Sequence, residues 1–235
     1  MNADRTLIVV PTYQERENVG PLVEHLLAVA PETDVLLMDD QSSDGTVAEA
    51  QRLFAANPRF SAVTHTGPRS FGRSLLEGYR IALERGYERL IQMDADFSHD
   101  PAIVPDLIRA SHDADVVIGS RYCAGGVVAN WPLHRWLLSR FANQYVAWIT
   151  GMPIHDSTSG FRCYRRRALE QILNAHIGAE GYAFQVETTF RAVRAGLRIV
   201  EIPITFTDRR AGQSKMSGKV IFESMLKPWR LRSGG

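Results

Sequence analysis

Residues 7–10 (L-I-V-V) form a short apolar run that stops at Pro11, and this pattern returns along the first half of the chain. Residues 35–38, 60–64, 89–93 and 115–119 are further β-rich runs with the length of a buried strand. Between them lie segments with helical apolar spacing: Val19, Leu22, Val23, Leu26 and Leu27; then Val47, Ala50, Leu53 and Phe54; then residues 70–85, closed by Gly86; then residues 101–110. Strands alternating with helices of this length require right-handed crossovers and predict a parallel sheet covered on both faces. In such open sheets, ligands bind beyond the carboxyl ends of the strands. Three polar clusters fall there: Pro11-Thr12-Tyr13, Asp39-Asp40 and Asp94-Ala95-Asp96.

The last cluster has two carboxylates two residues apart. In a strand, residues i and i+2 share a face, so both can converge on one cation where the strand gives way to a loop. Hard oxygen ligands of this kind suit Mg²⁺ or Mn²⁺, which keep waters and bridge to substrate phosphates. An isolated D-x-D is equally the end of a strand with two solvated carboxylates, so the rest of the chain has to decide. Neither G-x-x-x-x-G-K-[ST] nor G-x-G-x-x-G occurs, which weighs against a P-loop nucleotidase or a dinucleotide dehydrogenase. The histidines have no metal-ligand spacing, and His99, beside the acidic pair, reads as a supporting residue. Cys123 and Cys163 form no C-x-x-C, which argues against a disulfide framework or a zinc site.

Charge divides the chain. Residues 1–115 carry 10 Lys/Arg against 19 Asp/Glu, a net of −9; residues 116–235 carry 17 against 7, a net of +10. An acidic half can hold a metal ion, and a basic half can receive phosphate or face an anionic membrane. Trp131, Trp136 and Trp148 cluster with Arg135 and Arg140, and Leu133, Leu137, Phe141, Tyr145 and Trp148 form a stripe along an expected helix. The stripe suits either core packing or an interfacial helix with aromatic rings at headgroup level. Residues 161–164 are expected as a strand, 166–174 and 183–195 as helices, 197–206 as one strand with Pro203 near an edge, and 221–226 as a short helix. Residues 208–218 read as a polar, basic loop. No apolar run approaches the ~18 residues of a membrane span, and no leader-like segment is read at the N-terminus.

V-V-P-T-Y-Q-E-R-E-N (9–18), M-D-D-Q-S-S-D-G-T (38–46), Q-M-D-A-D-F-S-H-D-P (92–101) and G-S-R-Y (119–122) resemble the family 2 glycosyltransferases of the GT-A fold. N-W-P-L-H-R (130–135), S-G-F-R-C-Y-R (159–165), G-Y-A-F-Q-V-E (181–187) and D-R-R-A-G-Q-S-K (208–215) resemble, within them, the polyprenol (dolichol) phosphate mannose synthases. The resemblance runs over residues 6–220 and implies one α/β, GT-A-like catalytic domain across 1–235, with a Rossmann-like, mostly parallel sheet flanked by helices. Residues 1–120 would form its nucleotide-sugar and metal half, and residues 121–235 its acceptor half. It implies inverting transfer of mannose from GDP-mannose to a polyprenyl phosphate, with a divalent metal, Mg or Mn. Pro11, Tyr13, Glu15, Met38 and Asp40 match nucleotide-binding positions; Asp94, Ala95 and Asp96 match the diphosphate and metal positions. Arg121 and Arg135 match arginines near the donor and the acceptor phosphate, and Arg209 and Lys215 the basic loop that closes over the donor. The catalytic candidates are therefore Asp96, Arg121 and Arg135. Some relatives have Gln as a further metal ligand where this chain has Ser98, so a serine hydroxyl or a water takes that place.

An ionised acceptor phosphate needs cations to position it rather than a general base to deprotonate it. The expected partners are thus GDP-mannose and polyprenyl phosphate, with peripheral contact at the cytoplasmic face of a membrane or a membrane-spanning partner subunit, and no nucleic acid. Rival readings are a UDP-glucose-dependent polyprenyl-phosphate glucosyltransferase and a non-catalytic membrane-associated subunit that kept the fold.

Overall fold

The computed structural model describes residues 4–174, 177–178, 182–208 and 218–233. Its strands are β1 (Thr6–Thr12), β2 (Thr33–Asp39), β3 (Phe60–Thr64), β4 (Arg89–Gln92), β5 (Val116–Ser120), β6 (Val127–Val128), β7 (Arg162–Arg165), β8 (Ile199–Pro203) and β9 (Thr205–Phe206). Its helices are α1 (Arg16–Val29), α2 (Thr46–Phe54), α3 (Phe71–Glu84), α4 (Val104–Ala110), α5 (Leu133–Thr150), α6 (Arg166–Leu173), α7 (Tyr182–Arg194) and α8 (Gly218–Arg232). The main sheet has the order β3-β2-β1-β4-β7-β5-β8. β1 pairs in parallel with β2 and β4, β2 with β3, and β5 with β8. The exception to parallel pairing is β7, which runs antiparallel between β4 and β5.

Alternation along the strands divides the core as period-two geometry requires. Leu7, Val9, Leu36, Met38 and Leu90 face a cluster containing Tyr79, Tyr164 and Phe184, whereas Ile8, Val10, Val35, Leu37 and Ile91 face one built on α1 and α4. Both faces of the sheet are therefore covered.

Three elements depart from the sequence expectation. Residues 101–110 begin with a 3-10 turn, Pro101–Ile103, before α4. Residues 197–206 do not form one strand: Pro203 has no N–H to donate, and after it the chain leaves β5 for β6. Ile204 N–H bonds Ser120 O at 3.0 Å while Ile204 O accepts from Val127 N–H at 2.9 Å, and β9 then pairs with β6. The C-terminal helix α8 is far longer than residues 221–226. It is held to α7 by Glu187, a buried carboxylate that pairs with Lys227 Nζ at 2.8 Å and Arg191 at 2.7 Å. Arg209 and Lys215, and with them most of the expected basic loop, lie outside the described residues.

Helix α3 approaches β1 and β2 closely at Gly78, where an added Cβ would stand 2.8 Å from Val9 Cγ1 and 2.9 Å from Met38 Cγ. Both neighbours are fully buried, so the helix or the strands must move to admit a methyl group. Gly78→Ala is expected to destabilise the fold by about 1–2 kcal/mol, the overpacking cost outweighing the better helix propensity of alanine. A urea unfolding midpoint measured against wild type checks this.

Candidate active site

The carboxyl ends of β1, β2 and β4 lie side by side, and the loops that leave them are tied together. Asp40 N–H bonds Thr12 O at 2.9 Å, and Met93 N–H bonds Val9 O at 3.2 Å. Buried Asp39 is a structural group, accepting from Thr12 Oγ1 at 3.0 Å and from Ser42 Oγ at 2.6 Å. Its neighbour Asp40 is only half-buried and accepts from Ser70 N–H at 3.2 Å. Each of the three loops contains a non-glycine residue in the left-handed region: Gln14 (φ 58°), Gln41 (φ 62°) and Phe97 (φ 59°). Such residues cost of order 1 kcal/mol each and persist where surrounding bonds hold them. Gln14 N–H bonds Ser42 Oγ at 2.9 Å, and Gln41 Nε2 bonds Gly67 O at 2.6 Å.

Around this edge, Pro11, Tyr13 and Glu15 are half-buried. Glu15 stands at the N-terminal boundary of α1 without capping it by its side chain, which accepts from Asn18 Nδ2 at 2.8 Å. Arg69, which the motifs did not single out, lays its guanidinium 3.9 Å from the Tyr13 ring centroid. Met38 and Ala95 are buried, so only their main chains are positioned to meet a ligand. The Met38 side chain packs under Gly78.

Beyond β4 the acidic loop folds back on itself. Asp96 Oδ1 accepts from Ser98 N–H at 3.1 Å, and Asp94 N–H donates to His99 Nδ1 at 3.4 Å. His99 is buried and stacked on Phe161 with ring centroids 5.0 Å apart. Burial pushes its imidazole down to about 4, so it is neutral at pH 7. Ser98 is also buried. Gly160 comes up against Asp94: an added Cβ would lie 3.2 and 3.3 Å from its two carboxylate oxygens. No group of three or more His, Cys, Asp or Glu residues converges on a point among the described residues. Two carboxylates with a cradle that any side chain at 160 would fill fit a hard divalent cation that completes its shell with water and phosphate oxygens. They do not fit a caged zinc.

The remaining candidates approach from the second half. Arg121 is buried and bidentate on Asp156, with Nε and a terminal nitrogen each 2.7 Å from the two carboxylate oxygens, and it also bonds Thr158 Oγ1 at 2.7 Å. Arg135, in the first turn of α5, bonds Asp208 at 3.0 Å and lies 4.0 Å from the Trp131 ring centroid. Thr207, just before Asp208, bonds the acidic loop twice: its N–H reaches Ser98 O at 3.2 Å and its hydroxyl reaches Phe97 O at 3.3 Å. Asp94, Asp96, Ser98, Arg121, Arg135 and the stem of the basic loop thus belong to one connected edge. Trp131, which precedes α5, packs edge-on against Phe206 at 5.3 Å. Arg162, Asp156 and Thr207 escaped the sequence reading: Arg162 lies inside S-G-F-R-C-Y-R (159–165), whose role was not divided among its residues, and Asp156 and Thr207 fall outside every motif.

Three comparisons bear on this geometry. The model of the family "Glycosyl transferase family 2" matches residues 7–173. The chain is 45% identical to the polyprenol monophosphomannose synthase of Mycolicibacterium smegmatis, over 97% of this chain and 88% of that protein. It is 42% identical to the undecaprenyl-phosphate mannosyltransferase of Micrococcus luteus, over 96% of this chain and 93% of that protein. The fold, GT-A-like, is shared with glucosyl-3-phosphoglycerate synthase from Mycobacterium tuberculosis, solved with Mn²⁺, UDP-glucose and phosphoglyceric acid. There the TM-score is 0.73 at 14% identity, with 96% of this chain and 80% of that chain covered.

Burial works to raise the Asp156 carboxyl, yet the Arg121 guanidinium and its hydrogen bonds hold it below the ordinary 3.8. The stability it contributes is therefore complete above that ordinary value and lost as the pH falls through the lowered one. Asp156→Ala strands a buried guanidinium and is expected to cost about 3–5 kcal/mol, read as a shift in the denaturant midpoint at pH 7. The difference from wild type should shrink below pH 3.8.

Proposed function

We propose, for a chain that belongs to glycosyl transferase family 2, that it is a polyprenyl-phosphate mannosyltransferase using GDP-mannose. One observation carries the acceptor half of this reading. Helix α5 presents Arg135 to the candidate site from its first turn, while its outer flank exposes Leu133, Leu137 and Phe141. A cation followed by an apolar flank is the order of groups that an anionic head on a hydrocarbon chain requires.

Donor binding falls to the edge of β1, β2 and β4. Tyr13, Glu15 and Asp40, with the main chains of Pro11, Met38 and Ala95, take the guanosine, and Asp94 and Asp96 face its diphosphate. A bound Mg²⁺ or Mn²⁺, held by Asp94 and Asp96 with the Ser98 hydroxyl or a water, supplies positive charge to the leaving diphosphate. Arg135 orients the acceptor phosphate, with Arg209 and Lys215 adding charge over the donor and Arg121 fixing the wall between donor and acceptor. A phosphate oxygen then bonds to the anomeric carbon as the bond from that carbon to the GDP β-phosphate oxygen breaks, with inversion. The attacking oxygen is already ionised, so no side chain needs to take a proton.

Membrane contact follows from the same helix. On α5, Leu137, Leu138, Phe141 and Trp148 are exposed, and beside them on α8 so are Met225, Leu226 and Trp229. Trp229 Nε1 bonds Tyr145 Oη at 3.0 Å, and the Trp148 and Trp229 rings meet edge to face at 6.3 Å, so the two helices form one surface. Arg230 and Arg232 stand next to it in the last turn of α8. Among the described residues no helix is long and apolar enough to cross a membrane, so this surface is assigned to peripheral contact at the cytoplasmic face of an anionic bilayer.

Transfer of radiolabelled mannose from GDP-mannose to a short polyprenyl phosphate tests the reaction; transfer from UDP-glucose in its place would overturn the donor assignment. Asp96→Ala should lower turnover by about 10²–10³-fold, the scale for removing a group that stabilises transition-state charge. Arg135→Ala should raise the KM for the acceptor about tenfold, the loss of one charge-assisted contact, and leave the KM for GDP-mannose within twofold. For the membrane surface, sedimentation with anionic liposomes should capture the wild-type chain, and the pair Phe141→Ser/Trp148→Ser should release it. Equal sedimentation of both proteins would refute the α5–α8 assignment.

A further inference from the structure

Gln92 ends β4 two positions before Asp94 and is fully buried. Its side-chain amide is engaged at one end only. Tyr79 Oη donates to Gln92 Oε1 at 2.6 Å. Tyr79 is itself fully buried against Tyr164, whose hydroxyl accepts from Arg162 at 3.4 Å. With the amide oxygen facing the Tyr79 hydroxyl, the amide nitrogen turns away from it. That nitrogen, Nε2, is buried and has no hydrogen-bond partner among the described residues. Buried donors in folded proteins are nearly always satisfied, and one that is not calls for a physical reason.

Gly160 identifies what lies opposite. The Cβ it lacks would stand 3.4 Å from Gln92 Nε2 and 3.2 and 3.3 Å from the Asp94 oxygens. Donor and carboxylate therefore line the same small gap, and only a glycine at 160 leaves it open. Arg162, the register partner of Gln92 on β7, holds this wall in place through Ser159 O at 2.7 Å and Ser157 O at 2.7 Å.

We infer that Gln92 is the positioning residue of Asp94: its amide nitrogen donates to the Asp94 carboxylate as the acidic loop takes up its loaded geometry. The carboxylate oxygen that faces inward is thereby fixed, which aims the other toward the ligand. Hydrogen bonds behind a metal-binding carboxylate set its orientation and basicity in this way, and they shorten when the site fills. Tyr79 completes the device by keeping the amide from rotating. The inference rests on the proposed metal-assisted transfer only for the identity of what fills the site.

Mn²⁺ binding to the purified full chain, followed by electron paramagnetic resonance with GDP present and no turnover, tests it. Gln92→Met should weaken Mn²⁺ binding about tenfold or more, the scale for losing a group behind a metal ligand. It should also lower the thermal midpoint, because the Tyr79 hydroxyl loses its acceptor. The double variant Tyr79→Phe/Gln92→Met removes that stranded hydroxyl; it should melt near the wild-type midpoint and keep the weakened Mn²⁺ affinity. Wild-type affinity in the double variant would overturn the inference and leave Gln92 a core-packing residue. A wild-type chain that binds no Mn²⁺ would overturn the metal assignment of Asp94 and Asp96, a separate failure that is visible before any substitution is made.

Discussion

The Arg162 guanidinium is buried with no measurable exposure, and neutral oxygens receive its donors: the carbonyls of Ser157, Ser159 and Gln185, and the hydroxyls of Tyr164, Thr188 and Thr189. A buried cation is tolerable only while such a shell is complete. The shell therefore dictates where its members sit. It holds the turn before β7 under the acidic loop, binds α7 across the sheet, and brings Gly160 to Asp94. Asp156, within that turn, completes the arrangement by receiving Arg121. A single side chain on β7 thus fixes both the wall of the candidate donor site and the arginine between its two halves.

The sequence revealed the frame of this molecule more readily than its wiring. Buried parallel strands announce themselves because both faces are apolar, so residues 7–10 and 35–38 needed no partner to be read. β7 was expected as a strand at 161–164, but not its reversal, because direction leaves no trace in a four-residue run. Pro203 was correctly placed near an edge, but that it would split residues 197–206 between two sheets depends on Ser120 and Val127, far away in the chain. The carboxylate pair was ambiguous by itself and became legible because Pro11-Thr12-Tyr13 and Asp39-Asp40 fall at the same end of the expected sheet. Gln92 and Gly160 were not, since a glutamine and a glycine have meaning only through what lies opposite them. The aromatic stripe of α5 stood open between core and interface, and the exposure of Leu133, Phe141 and Trp148 removes these three from the core. Tyr145 of the stripe packs against the core, and Trp131, ahead of the helix, packs between Arg135 and Phe206.

The two halves with opposite charge meet through backbone rather than through salt bridges alone. Thr207 joins the stem of the basic segment to the carbonyls of Phe97 and Ser98, so the acidic loop and the approach to Arg209 share one anchor. Glu187 does the same service at the other end of the segment, fixing α8 by Lys227. Both links use buried or half-buried groups, which salt screens far less than it screens exposed pairs. The acidic loop and the apolar helices therefore lie on one continuous scaffold.

The reversed strand has a consequence for how the chain acquires its shape. β4 and β5 never pair with each other; each pairs with β7, which lies between them. A nascent chain that has emerged through α5 holds two incomplete sheets, β3-β2-β1-β4 and β5 alone, and the inner edge of β4 is an unpaired template. Only when residues 162–165 arrive do the pieces become one surface. The late step closes long loops and so is slow relative to local helix formation. Because the acidic loop leaves β4 at this seam, the candidate site takes form at the moment of closure, and a chain stalled before it would present Asp94 and Asp96 beside an open strand edge.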